Sequence, residues 1–149
     1  MREVVPQISI TADVMVGFPG EQEADFDQTL ELMEAVEFDG LFSFKYSPRP
    51  GTRAAQWEDD CPPAVKQRRL ERLQELQRGI TVKKNKALEG TVQEVLVEGS
   101  SKNSPVHMTG RTRCNRIVNF PGDPDLAGEL VRIKITAGLQ NSLRGERRA

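Results

Sequence analysis

The chain has 149 residues with a formal net charge of −1 at pH 7, and 37% of its residues are hydrophobic. These values are typical of a soluble globular protein with one domain or two small ones. No apolar run approaches the roughly 20 residues that span a bilayer, and the first residues lack a signal-peptide pattern, so we expect a cytoplasmic protein with no membrane partner.

Charge is distributed unevenly, because residues 1–60 are acidic and the remainder is basic. A basic half favours a partner of negative charge, nucleic acid first, and solvated helix and strand faces are the open alternative. The two cysteines, Cys61 and Cys114, lie far apart and are predicted to be free thiols. Since His107 is the only histidine, we predict no metal site, and this chain cannot by itself ligate a four-cysteine iron–sulfur cluster.

The first half of the chain has the pattern of a strand, a helix and a second strand. Residues 8–16 are apolar and β-branched, residues 21–36 carry apolar side chains at helical spacing, and residues 41–46 are rich in aromatics. Glu21 and Glu23 fall in the first helical turn, where the helix dipole favours negative charge. The crossover is long enough for the two strands to pair in parallel, which indicates an α/β arrangement.

A rigid loop and a long helix follow. Two prolines and a glycine in residues 47–52 predict the loop, and an apolar stripe predicts a helix that starts at residues 61–63. The basic segment 83–89 is interpreted as a linker to a second domain.

After the linker the hydrophobic period falls to two, which is typical of β-strands. Several short strands separated by turns predict a small β-barrel of OB-like type. The predicted strands are residues 91–98, 106–109, 114–120 and 130–136.

Three ordered motifs carry a resemblance to a known family. They are TADVMVGFPGE at residues 11–21, FSFKYSPRPGT at residues 42–52, and a set made of LVEGS at 96–100, GRTRCNRIVNF at 110–120 and NSLRG at 141–145. Taken singly, each has a plain structural explanation: a tight strand-to-helix turn, a proline-stiffened connection and a barrel hairpin with exposed arginines. Together they resemble the radical-SAM tRNA methylthiotransferases that act on isopentenylated adenosine next to the anticodon.

The resemblance implies the fold and the domains. Residues 1–82 would be the C-terminal strands and helices of a radical-SAM (β/α) partial barrel. Residues 83–146 would be a TRAM RNA-binding domain, a small all-β OB-like barrel, and residues 147–149 a tail. The family's first domain and its Cys-x-x-x-Cys-x-x-Cys loop have no counterpart here, so we expect a C-terminal fragment.

The resemblance also implies an activity. Full-length family members use S-adenosylmethionine and two 4Fe-4S clusters to add a methylthio group to C2 of N6-isopentenyladenosine. Since the cluster cysteines are absent, we expect no catalytic or metal-binding residue here and no activity from this chain alone. The expected partner is the anticodon stem-loop of tRNA, and the full-length protein is expected to be a monomer. The alternative is a free-standing TRAM-type RNA-binding protein without catalysis.

Site residues follow from the same resemblance. The residues expected around S-adenosylmethionine are Gly17, Pro19, Gly20, Tyr46, Ser47 and Arg49. The residues expected to contact RNA are Lys102, Arg111, Arg113, Asn115 and Arg116. Alternatives stay open for two of them: Arg49 as an ion pair across the barrel mouth, and Asn115 as a turn-stabilising residue. His107 is interpreted as a surface strand residue and Cys114 as a half-buried thiol.

Overall fold

The computed structural model describes residues 1–101, 104 and 106–148, and the chain divides into two compact units. One unit is Ser9–Ile80, and the other combines Met1–Ile8 with Thr81–Ala149. The division falls within a helix, so the domain boundary after residue 82 stays a prediction.

The unit Ser9–Ile80 is built from two parallel strands and the helices packed on them. Its elements are β1 (Thr11–Val16), α1 (Glu23–Val36), β2 (Gly40–Lys45), a short 3₁₀ helix (Arg53–Gln56) and α2 (Pro63–Lys86), which crosses the unit boundary. β1 pairs with β2 from Thr11 opposite Gly40 to Val16 opposite Lys45, which confirms the predicted parallel pairing.

The two faces of this small sheet differ. On one side Val16 packs with Phe26 and Met33 of α1 and Leu73 of α2, each at most 1% exposed. Burial of these side chains is the main stabilising contribution to the unit. The opposite side carries Met15, Phe42 and Phe44, which are 47%, 66% and 51% exposed.

Four antiparallel strand pairings and one parallel pairing close the second unit into a barrel. Its strands are β3 (Val92–Ser100), β4 (His107–Thr112), β5 (Ile117–Pro121), β6 (Leu130–Gly138) and β7 (Leu143–Arg147), in the closed order β3-β4-β5-β7-β6. Inward side chains alternate with outward ones, as on β6, where Val131, Ile133 and Ile135 point into the core. The predicted small β-barrel is therefore confirmed.

Two local predictions are wrong, and one strand is missed. The basic segment predicted as linker is helical to Lys86, because lysines in a last turn interact favourably with the helix dipole. The strand predicted from residue 114 starts at Ile117, since Asn115 has a left-handed backbone (φ 61°). The strand β7 was not predicted at all.

No helix in residues 1–101 or 106–148 is long and apolar enough to cross a membrane.

Candidate cofactor pocket and candidate nucleic-acid interface

The turn Gly17-Phe18-Pro19-Gly20 leaves β1 with two glycines in left-handed backbone conformations, φ 71° at Gly17 and 84° at Gly20. The Gly17 N–H donates to Glu21 Oε1 at 3.0 Å, and the Gly20 N–H donates to Asp60 Oδ1 at 2.9 Å. A Cβ added at Gly17 would overlap the Cγ of Lys66. Close packing inside the unit therefore requires this glycine, whether or not a ligand approaches it.

Lys66 of α2 is the buried cation beneath this turn, with its side chain 7% exposed. Its Nζ donates to both carboxylate oxygens of Asp59, at 2.6 and 2.7 Å, and lies 3.4 Å from the carbonyl oxygen of Tyr46. The same ammonium lies 5.1 Å from the centre of the Tyr46 ring, within cation–π range. Lys66 thus fixes the chain where it leaves β2.

Arg69, one turn further along α2, holds the other side of the turn. Its guanidinium donates to Glu21 Oε1 at 2.7 Å and to Glu23 Oε2 at 3.2 Å, and its side chain is 6% exposed. Burial acts to lower the pKa of Arg69, but the hydrogen bond that Arg69 donates to Glu23 and the charges of Glu21 and Glu23 outweigh it and raise the pKa. The guanidinium is therefore charged at every working pH.

A cavity of about 610 Å³ opens at the ends of β1 and β2. Three of the six predicted cofactor residues, Tyr46, Ser47 and Arg49, line it, whereas Gly17, Pro19 and Gly20 do not. Its further lining includes Asp13, Met15, Phe18 and Phe44. The sequence signal that could have placed Asp13, Met15 and Phe44 at the cavity is strand alternation. Asp13 and Met15 lie on one face of β1, and Phe44 pairs with Met15.

Aromatic side chains form the rigid wall of this cavity. The Phe18 ring lies 5.2 Å from that of Tyr46 and 5.7 Å from that of Trp57, both edge to face. The Tyr46 hydroxyl donates to the carbonyl oxygen of Ala54 at 3.0 Å. Tyr46 therefore provides shape, since its hydroxyl already has a partner.

The cavity combines this apolar wall with charges of both signs, Asp13 and Arg49, and a hydroxyl from Ser47. Such a set suits a zwitterionic ligand with a flat ring, and the volume is within the range of small-molecule sites.

Iron–sulfur clusters do not fit the residues of this chain. Cys61 is buried, with its Sγ 3.8 Å from the guanidinium of Arg69, and Cys114 belongs to the other unit. Among the residues that the structure describes, no three His, Cys, Asp or Glu side chains are grouped to hold a metal ion.

The loop between β4 and β5 carries most of the predicted RNA-contacting residues. Arg111 donates to Glu98 Oε1 at 2.9 Å and to Asn115 Oδ1 at 3.1 Å. The left-handed Asn115 donates its N–H to the carbonyl oxygen of Thr112 at 2.9 Å, so a turn-stabilising role is present. Arg113 is exposed, and its side chain has no partner in residues 1–101 and 106–148.

Arg116 points to a different neighbour. Its guanidinium donates to Asn85 Oδ1, and the Asn85 amide donates to the carbonyl oxygen of Leu139 at 2.6 Å. Arg116 thus joins the loop to the end of α2 within one unit. Arg111, Arg113 and Asn115 line a shallow cavity of about 350 Å³. Lys102 lies outside the described residues.

The closed five-stranded barrel falls within a recognised domain, because the family model described as TRAM domain matches residues 86–147. Over 98% of its length the chain is 56% identical to the tRNA-2-methylthio-N(6)-dimethylallyladenosine synthase of Syntrophobacter fumaroxidans. It is 55% identical to the synthase of that name from Nitrosospira multiformis and 51% identical to that from Moorella thermoacetica.

The chain is therefore related over nearly its whole length to these synthases, and it contains a TRAM domain. It spans about a third of the length of these curated relatives, 31% to 33%.

Proposed function

We propose that this chain is part of a tRNA methylthiotransferase that adds a methylthio group to C2 of N6-isopentenyladenosine next to the anticodon. The observation that carries the proposal is an identity of 49% to 56%, over 98% of the chain, to proteins named for making that nucleoside. In this proposal the chain supplies part of the S-adenosylmethionine wall and the tRNA-binding TRAM domain.

The unit Ser9–Ile80 is proposed to be the end of a radical-SAM (β/α) barrel. Two parallel strands joined through α1, with a cavity at their carboxyl ends, support this, because ligands of α/β barrels bind at that edge. When bound, S-adenosylmethionine supplies the methyl group and the radical precursor of the reaction. Asp13 would hold its cationic groups and Arg49 its carboxylate, while Phe18 and Tyr46 exclude water.

Gly17, Pro19 and Gly20 are proposed to act indirectly. They carry Phe18 to the cavity wall, and the contacts of Gly17 and Gly20 with Glu21, Asp60 and Lys66 fix the turn. The iron–sulfur ligands must come from outside this chain, because its two cysteines do not fit a cluster. The chain alone is therefore proposed to be inactive.

The TRAM domain is proposed to hold the anticodon stem-loop of tRNA. Arg113 is free to contact phosphate, and Arg111, Asn115 and Arg116 would have to exchange intramolecular contacts for RNA. We further propose that the full-length protein is monomeric and cytoplasmic.

A free-standing RNA-binding module is the second candidate. It is favoured by the barrel, which closes on itself around its own core. The apolar face with Met15, Phe42 and Phe44 speaks against it, because exposed apolar patches of this kind mark surfaces that need cover.

A chimera tests the first candidate against the second. The segment of a relative that matches this chain is replaced by the chain, and the gene is expressed in bacteria that lack the methylthiotransferase. The 2-methylthio nucleoside is then measured in digested tRNA by mass spectrometry. Matched controls are the chimera without residues 86–147 and the chain expressed alone.

The expected result is that only the complete chimera restores the nucleoside. A folded complete chimera that makes none would overturn the methylthiotransferase proposal. If the chain alone binds tRNA in that case, the free-standing module becomes the better description.

A further inference from the structure

A second concave surface lies on the outside of the barrel, away from the loop between β4 and β5. This outer groove has a volume of about 510 Å³ and crosses β4, β5, β7 and β6. It is lined by His107, Asn119, Thr136, Ser142 and Arg144, together with neighbouring residues. The register explains the grouping, because Asn119 pairs with Arg144 across β5 and β7.

Three polar side chains of the outer groove have no partner among the residues that the structure describes. In the described ranges 1–101 and 106–148, the side chains of Asn119, Ser142 and Arg144 make no hydrogen bond or ion pair. Asn119 and Ser142 are nevertheless half-buried. Such groups keep their full hydrogen-bonding capacity for a bound molecule, whereas Arg111 has already used much of its own.

Charge also favours this side of the barrel. Arg132 and Lys134 point outward from β6, and the Arg148 N–H donates to the carbonyl oxygen of Arg132 at 3.0 Å, so Arg148 lies beside it. With Arg144 these make four cations against two carboxylates, Glu94 opposite Arg132 and Glu146 opposite Lys134. None of the four forms an ion pair in the part of the chain that the structure describes.

The cavity at the loop between β4 and β5 is different. There Arg111 and Arg113 face Glu94 and Glu98, so two cations meet two carboxylates, and Arg111 is already paired with Glu98. Phosphate affinity depends on cations that are free to replace counterions. Within the outer groove itself Arg144 is accompanied by Glu146, so the positive excess comes from the adjoining surface with Arg132, Lys134 and Arg148.

We infer that the outer groove and the adjoining β6 surface bind single-stranded RNA. Arg144, Arg132 and Lys134 contact phosphates, and the Asn119 amide is placed to read the edge of an unstacked base. His107, whose Nδ1 lies 2.8 Å from Ser104 Oγ, offers a ring against which such a base packs. The inference rests on the RNA-binding function proposed above and adds the outer groove and the β6 surface to the loop residues as an RNA contact.

The test measures binding of the full chain to a fluorescent 12-nucleotide RNA of mixed sequence, and to its duplex, by anisotropy at 50 to 300 mM salt. The groove variant carries Arg132→Gln, Lys134→Gln and Arg144→Gln. The control variant carries Arg53→Gln and Arg68→Gln, two exposed cations of the unit Ser9–Ile80, and should bind as the unmodified chain does. Since each lost phosphate contact lowers the salt slope by about 0.7 on a single strand, we expect the groove variant to lose about 2 units of slope and at least about tenfold in affinity.

A second variant, Asn119→Ala, keeps every charge. It should leave the salt slope unchanged and reduce the preference for single strand over duplex. Circular dichroism checks that each variant is folded.

Two failures are distinguishable. If the unmodified chain binds no RNA, the proposed RNA-binding function fails. If it binds RNA, and the folded groove variant and Asn119→Ala bind as it does, the inference about the outer groove is wrong and the function stands.

Discussion

A Cβ atom at Gly17 would overlap the Cγ of Lys66, so the Lys66 side chain of α2 occupies the position that a side chain at Gly17, directly after β1, would need. The Lys66 side chain fills that space and delivers its ammonium to Asp59 and to the carbonyl oxygen of Tyr46. The turn that follows β1 and the loop that follows β2 therefore both depend on the contact between Gly17 and Lys66. Phe18 follows Gly17 directly, so its position over the cavity depends on this packing too.

The first prediction concerns Gly17→Ala. The new methyl group meets Lys66, and alanine is strained at φ 71°, so we expect the free energy of unfolding to fall by about 2–4 kcal/mol. Urea unfolding followed by fluorescence measures it. Trp57 is the only tryptophan and belongs to the same unit, with its ring 5.7 Å from that of Phe18.

Gly20→Ala is the matched control, because Gly20 also has a positive φ, 84°, but no neighbouring atom within 4 Å of an added Cβ. It should lose only about 1–2 kcal/mol from backbone strain. Equal losses for the two glycines would show that overlap with Lys66 is unimportant.

The second prediction compares two arginines on α2. The guanidinium carbons of Arg69 and Arg72 lie 5.7 and 5.5 Å from the Phe26 ring, but their side chains are 6% and 54% exposed. Arg69→Met should lower the free energy of unfolding by about 3 kcal/mol, because Glu21, 14% exposed, is left without its cation. Arg72→Met should lower it by less than about 1 kcal/mol.

Salt separates the two effects in the same unfolding experiment. At about 1 M salt the Debye length is near 3 Å, so the loss caused by Arg72→Met should vanish and most of the Arg69→Met loss should remain. If salt also removes the loss of stability caused by Arg69→Met, the ion pairs of Arg69 with Glu21 and Glu23 behave as surface pairs. The prediction that they act as buried pairs is then wrong.

Local sequence patterns predicted part of the fold. The strand–helix–strand order and the period of two are local features, and both appear in the structure as β1, α1, β2 and the barrel. The strand β7 was not predictable from its sequence, because Arg144 and Glu146 flank the inward Gly145 and the segment shows no alternation of apolar residues. Its pairing with β6 and β5 makes it a strand, and those partners are set by tertiary structure.

The candidate site was predictable to a smaller degree. Glu21 and Glu23 were interpreted from helix-dipole reasoning, whereas their partner is Arg69, 48 and 46 residues away. Spacing rules see neighbours three or four residues apart and cannot reveal such a pair. Asp13 and Met15 both line the cavity because strand alternation puts them on one face of β1, and that alternation is visible in the sequence.

The third prediction concerns Arg116, whose contact with Asn85 makes it a structural residue of the barrel unit. Asn85 is 3% exposed, so Arg116→Ala leaves a buried amide oxygen without its donor. We expect a loss of about 1–3 kcal/mol, measured by thermal unfolding with circular dichroism. Arg113→Ala, on the same loop and without a partner in the described residues, should change stability by less than about 0.5 kcal/mol. Similar losses for both would contradict the assigned roles.

The last prediction separates the two faces of the small sheet with adjacent residues of β2. Leu41 packs against the core around Phe26, so Leu41→Ala should lower the free energy of unfolding by about 2–3 kcal/mol. Phe42 is 66% exposed on the other face, so Phe42→Ala should change it by less than about 1 kcal/mol. Since Phe42→Ala also shrinks an exposed apolar patch, we expect less self-association of the purified chain by sedimentation velocity. A loss for Phe42→Ala as large as that for Leu41→Ala would mean that this face is covered in the folded chain, and the case against a free-standing module would then fall.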